Sequence, residues 1–290
     1  MENECYLRLR PIISKFPCLH QIIDDDFLSE QCESELKNYL LKRLDDKKSN
    51  HVTHQHLPTL ERRLAELAPV TGYDRLKYLL KGASDWDEYQ EFLAQIDIAL
   101  FFKHNNLLKE IEPEFPHRLG NADILISFSQ QDIYCEITSF QSLLKSIQSK
   151  TKSEKNKIQD RVRELRKEQP WETEQDIEHE LKIKRAVRNL LDKTKRQLPP
   201  NHPGILALET GKSMMFGFDV RKIAQKLFPG RRQVALIMLW SWESDGGDDS
   251  DLRWEMNNPS FCFINGGAKF LRVGETLLKY LGLKGETIGV

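Results

Sequence analysis

The sequence predicts an α/β fold, a mixed β-sheet with helices on its faces. Three observations carry this. A strong helical run is followed by three strand-like pieces, and helix, strand, helix and strand then alternate toward the C-terminus. Two later segments are strand-like in the same way: residues 204–208 are short and apolar, and residues 233–242 are strongly apolar, as strands buried on both faces are. Finally, 290 residues with 39% hydrophobic content can bury a sizeable core.

The first 80 residues read as a helical N-terminal extension, and residues 81–290 as the α/β domain. In the extension, residues 26–29 lead into an amphipathic run through Leu36, Tyr39, Leu40 and Leu44, and Pro58 opens a helix with Leu60, Leu64 and Leu67 on its apolar stripe. A further helix begins at a capping box of Ser84 and Asp87. It continues through Tyr89, Phe92, Leu93, Ile96 and Leu100, and should end near residues 104–106. Strand-like pieces follow at 107–115, 122–128 and 133–140, separated by turn signals at 116–120 and 129–131. The last two form a hairpin.

Residues 145–197 form a charged insertion, dense in Lys, Arg, Glu and Gln, which predicts two long exposed helices. From Lys145 to Arg196 there are 16 basic and 10 acidic residues, so the stretch is +6 while the chain as a whole is −1. That surplus can face a phosphate backbone, or it can be a solvated helical surface in which pairs such as Glu164 and Lys167 offset each other. Beyond it, residues 204–208 read as a strand, 220–228 as a helix, 233–242 as a strand and 244–251 as an acidic loop.

Composition excludes several classes. No run approaches the roughly 18 apolar residues of a membrane span, and the N-terminus lacks a leader pattern, so a soluble, cytoplasmic protein without membrane contact is expected. Five scattered cysteines, with no C-x-x-C pair, argue against a disulfide framework or zinc knuckle. His51, His54 and His56 lie in a polar linker and read as solvent-exposed. Residues 211–213 (Gly-Lys-Ser) end a strand and lack the earlier glycine of a phosphate loop. Trp240, Trp242 and Trp254 read as packing residues, with base stacking as the alternative.

The chemistry is concentrated on the hairpin. Side chains alternate along a strand, so Asp123 shares a face with Leu125 and Ser127, and Glu136 with Tyr134 and Thr138. With Ser129 opposite Asp132, Leu125 would oppose Glu136 and Asp123 would oppose Thr138. Asp123 and Glu136 would then be diagonal neighbours roughly 7 Å apart at Cβ. Two carboxylates on an apolar hairpin repel each other and resist desolvation, so they call for a proton, a cation or a metal.

These residues resemble the PD-(D/E)XK nuclease superfamily. The resemblance runs from Trp86 to Trp242: the helix around Glu91 and Gln95, Asn121-Ala122-Asp123, Glu136-Ile137-Thr138, and the segment from Lys193 to Leu198 leading into residues 205–208. It implies a restriction-endonuclease-like sheet and metal-dependent hydrolysis of phosphodiester bonds, with DNA as the expected partner and a homodimer as an allowed assembly. It implies Mg²⁺ or Mn²⁺ on Asp123, Glu136 and the Ile137 carbonyl, with Glu91 or Gln95 in support and Lys193, Lys195 and Gln197 toward nucleic acid. Ala122 replaces the usual proline, Gln95 a frequent Glu, and Thr138 the lysine that positions the attacking water. A relocated lysine, with Lys193, Lys195 and Lys212 as candidates, would restore activity; without one, the implied role is binding of nucleic acid or a protein partner.

Overall fold

A computed structural model describes residues 4–29, 57–82, 86–114, 122–139, 160, 164, 174–209, 217–240 and 258–289. The amphipathic run after residue 29, Ser84, the histidine linker, most of the first half of the charged insertion, Lys212, the acidic loop, Trp242 and Trp254 lie outside the described residues.

The helices are α1 (Glu4–Ile13), α2 (Pro17–Ile22), α3 (Asp25–Ser29), α4 (Leu57–Leu67), α5 (Leu76–Gly82), α6 (Trp86–His104), α7 (Glu174–Gln197), α8 (Gly217–Leu227) and α9 (Leu271–Tyr280). The strands are β1 (Leu108–Ile111), β2 (Ile124–Phe128), β3 (Gln131–Ser139), β4 (Gly204–Glu209), β5 (Val234–Trp240), β6 (Phe261–Asn265) and β7 (Glu286–Ile288). They form one seven-stranded sheet in sequential order. β1, β2 and β3 pair antiparallel, β3, β4 and β5 parallel, β5 and β6 antiparallel, and β6 and β7 parallel. The architecture is therefore α/β with a mixed, helix-flanked sheet. No helix among the described residues is long and apolar enough to cross a membrane.

β4 and β5 are buried along their whole length, and apart from Glu209 at the end of β4 their sequences, Gly-Ile-Leu-Ala-Leu-Glu and Val-Ala-Leu-Ile-Met-Leu-Trp, are apolar, as central strands covered on both faces require. Alternation then separates two cores. Ile133, Cys135 and Ile137 of β3, with Ile205 and Ala207 of β4, face a core built by α1 to α6 and α9. Leu206 and Leu208 face the other core, formed with Ile183, Ala186, Val187 and Leu190 of α7 and Val220, Ile223 and Leu227 of α8. Apolar residues of the first 80 positions belong to the same core as one sheet face. A buried ion pair, Arg63 to Asp97 at 2.9 Å with both side chains about 5% exposed or less, ties α4 to α6.

The hairpin register differs from the sequence expectation by two residues. Phe128 pairs with Gln131, Leu125 with Tyr134 and Ile124 with Cys135, so Leu125 does not oppose Glu136. The cause is the turn. Ser129 and Gln130 have φ of 48° and 63°, so they are the two central residues of a type I′ hairpin, whose twist matches that of the flanking strands. The loop is thus 129–130 and Gln131 already belongs to β3. A slip of two keeps every side chain on its face.

This register makes opposite predictions for adjacent glutamines. Gln130→Gly should stabilise the protein by about 1 kcal/mol by relieving a left-handed residue. Gln131→Gly should destabilise it by about as much, because a strand interior gains nothing from glycine. Urea denaturation of both variants reads the signs; stabilisation by Gln131→Gly would contradict the turn assignment.

Candidate active site

β3 turns Tyr134, Glu136 and Thr138 toward α7, the face on which its partners in β4 are Gly204, Leu206 and Leu208. Glu136 is thus a carboxylate between Tyr134 and Thr138 on β3 and beside Leu206 of β4, with no exposed surface. Asp123 stands just before β2, where its N–H donates to the Cys135 carbonyl at 3.1 Å and its Oδ2 accepts from the Ile137 N–H at 2.5 Å. Continuing the ladder by one residue from the Ile124–Cys135 pair sets Asp123 level with Glu136, where Thr138 was expected. The two carboxylates are therefore neighbours across the pair rather than diagonal.

The cation comes from α7. Its inward stripe runs Ile183, Ala186, Val187, Leu190 and Thr194, and Lys193 and Gln197 continue it toward the sheet. The Lys193 ammonium lies 2.7 Å from Glu136 Oε1 and 3.5 Å from Glu91 Oε1, and donates to the Ile137 carbonyl at 2.9 Å and to Thr138 Oγ1 at 2.5 Å. With its amide turned to satisfy both ends, Gln197 donates to Glu136 Oε1 at 3.1 Å and to the Lys193 carbonyl at 3.3 Å. Gln197 thus lies against a carboxylate. Lys195 is exposed on the other side of the helix.

α6 supplies the remaining side of the cluster. Glu91 and Gln95, one turn apart, share a face. Glu91 Oε1 accepts from the Ser139 N–H at 3.4 Å. Gln95 donates to Glu112 Oε1 at 2.9 Å and to the Asp123 carbonyl at 3.3 Å. Both α6 residues singled out in the sequence are therefore at the site, where one or the other was expected.

Glu112 was not expected. It follows β1 in the left-handed region, φ 50°, and its N–H donates to the Asp123 carbonyl at 2.8 Å. Arg75 holds this turn in place by donating to the Glu112 carbonyl and pairing with Glu110 Oε1 at 2.9 Å. Gly72, φ 83°, lets this approach occur, since a Cβ there would lie 1.9 Å from the Ile111 carbonyl oxygen. Its sequence setting, an acid between Ile111 and Pro113, carries no local signal for this role.

Four carboxyl groups, Glu91, Glu112, Asp123 and Glu136, thus crowd around the Lys193 ammonium. Burial, and then the charge of Asp123, push Glu112 up to about 7, while Gln95 offsets part of that. Burial pushes Asp123 up to about 6 against the opposing pull of Lys193 and the Ile137 N–H. Glu136 is raised by burial and by Asp123, and Lys193 offsets part of that. Burial works against the Lys193 charge, but Glu136, Glu91 and Asp123 outweigh it and raise its pKa.

The donors fit a hard divalent cation in kind. Asp123, Glu136 and the Ile137 carbonyl offer only oxygen, and Mg²⁺ commonly takes one or two carboxylates and keeps several waters. Among the described residues, no group of three or more His, Cys, Asp or Glu side chains could hold a metal ion. A metal here would therefore depend on the backbone carbonyl and on water. Comparison with protein families, with curated proteins and with solved structures finds no match for this chain.

The raised carboxyl pKa values set the pH dependence of stability. A carboxyl held above its ordinary value binds its proton more tightly when folded, so its contribution is complete below about pH 4 and is lost as pH rises through 6 to 7. Without divalent ions, the melting temperature should fall between pH 5 and pH 8. Glu112→Gln should raise it by about 2–4 °C at pH 8 and leave it nearly unchanged at pH 5. An equal effect at both pH values would contradict the assignment.

Proposed function

We propose that the chain is a metal-dependent nuclease of PD-(D/E)XK type, hydrolysing phosphodiester bonds in DNA. The observation that carries this reading is the Lys193 ammonium, 2.5 Å from Thr138 Oγ1 and 2.7 Å from Glu136 Oε1. It supplies from α7 the positive charge that Glu136-Ile137-Thr138 lacks beside the second carboxylate. Asp123, Glu136 and the Ile137 carbonyl would hold Mg²⁺ or Mn²⁺, which when bound would activate water and neutralise phosphate charge.

The chain's own groups have distinct tasks in this reading. Lys193 stabilises negative charge developing on the phosphate oxygens, and the Thr138 hydroxyl orients a water. Gln197 keeps Glu136 aimed. Glu91 holds Lys193 from the α6 side, and Gln95 fixes Glu112 and the Asp123 backbone together.

Purified protein incubated with single- and double-stranded DNA and with RNA, each with Mg²⁺, Mn²⁺ or EDTA, tests this. Metal-dependent cleavage of DNA is expected. Asp123→Asn, Glu136→Gln and Lys193→Met should each reduce it by roughly 10²-fold or more. Cleavage that survives Asp123→Asn and Glu136→Gln would show that the nuclease activity lies elsewhere.

A second reading is favoured by the outer face of α7, where Lys184, Arg188, Lys195 and Arg196 are exposed. A nuclease-fold protein that does not cut could bind nucleic acid through them. It predicts no cleavage with any metal and an affinity that falls steeply with salt.

A further inference from the structure

We infer that Lys193 is a built-in competitor for the divalent cation, so that loading the site exchanges an ammonium for a metal. This rests on the metal-site reading above and adds to it how that site is regulated.

Three ligand atoms are assigned to the metal, and the Lys193 ammonium holds two of the residues that provide them. Its Nζ lies 2.7 Å from Glu136 Oε1 and 2.9 Å from the Ile137 carbonyl oxygen. Both are distances at which the ammonium uses the oxygen as a full hydrogen-bond acceptor. A divalent cation bound to the same oxygens would need them at about 2.1 Å, which sets it close to the ammonium, and the two like charges would repel each other in a buried site. Metal and ammonium therefore compete for these atoms.

The surroundings make the exchange a short one. Thr138 Oγ1 at 2.5 Å and Glu91 Oε1 at 3.5 Å are acceptors for the same ammonium that the metal does not use. The lysine side chain has a flexible four-carbon stem. Lys193 can give up Glu136 and Ile137 and keep Thr138 and Glu91, which leaves its charge beside the site. Gln197, one turn along α7, donates to Glu136 Oε1 and steadies that carboxylate during the change. Lys193 is therefore a positioning and gating residue for the cation as well as a charge for the reaction.

Isothermal titration of the full chain with Mn²⁺ tests this without any substrate. Lys193→Met should bind Mn²⁺ at least tenfold more tightly than the wild type, and Asp123→Asn at least tenfold more weakly. Equal or weaker binding by Lys193→Met, with Asp123→Asn still impaired, would overturn the exchange and leave the metal site standing. Mn²⁺ binding indifferent to Asp123→Asn would overturn the metal site itself.

Lys193→Met leaves Glu136 buried without its cation and can fail to fold, so the wild-type chain supplies a second measurement. Acetylation of lysine amines, mapped by mass spectrometry with and without saturating Mn²⁺, should show Lys193 becoming at least severalfold more reactive when Mn²⁺ is present. Unchanged or reduced reactivity at Lys193 would overturn the exchange.

Discussion

The contact between the Lys193 ammonium and Glu136 holds the centre of this molecule together. Glu136 has no exposed surface and lies beside Leu206 of β4, so an ionised carboxylate there needs a partner. Asp123 adds a second carboxylate on the neighbouring strand, and α6 and the end of β1 add Glu91 and Glu112. Such a group of acids resists ionisation, which the raised Glu112 and Asp123 values express. Lys193 reaches it because α7 packs on this sheet face, against Leu206 and Leu208, and presents that residue where its apolar stripe would continue.

The sheet makes this convergence geometrically cheap. The type I′ turn at Ser129 and Gln130 fixes the β2–β3 register, and the register sets Asp123 level with Glu136. Parallel pairing of β3 with β4 surrounds Glu136 with Leu206 and Thr138 with Leu208, so the polar pair sits on an apolar floor. The low polarity of that floor strengthens every charge interaction above it. Rigid strands on one side and a packed helix on the other are what a preorganised charge site needs.

Much of this was legible in the sequence, for identifiable reasons. Period-two alternation put Asp123 and Glu136 on one face whichever even register the hairpin took, so the carboxylate pair survived a register error of two residues. The error arose because Ser-Gln carries neither the Asn nor the Gly that marks a type I′ turn. The apolar runs of β4 up to Leu208 and of β5 were readable because central strands covered by helices need apolar residues on both faces. Lys193 was readable as one of three candidate lysines, but its choice over Lys195 depends on helical phase, which extends the stripe of Ile183, Val187 and Leu190. Glu112 was hidden because its role comes from a left-handed backbone turn held by Arg75 and Gly72, a tertiary arrangement that no local pattern announces. The C-terminal β6, α9 and β7 were hidden too, since short strands such as Glu286–Ile288 carry too little periodicity to read.

Energetic coupling between Glu136 and Lys193 is measured directly by a double-mutant cycle. Stabilities of the wild type, Glu136→Gln, Lys193→Met and the double variant, taken from urea denaturation at pH 8 with EDTA, give the pairwise term. A favourable coupling of about 1–3 kcal/mol is expected, with Lys193→Met far more damaging when Glu136 is present than when it is replaced. Coupling within about 0.3 kcal/mol of zero would mean that the two side chains are independent, and would contradict the claim that this contact organises the site.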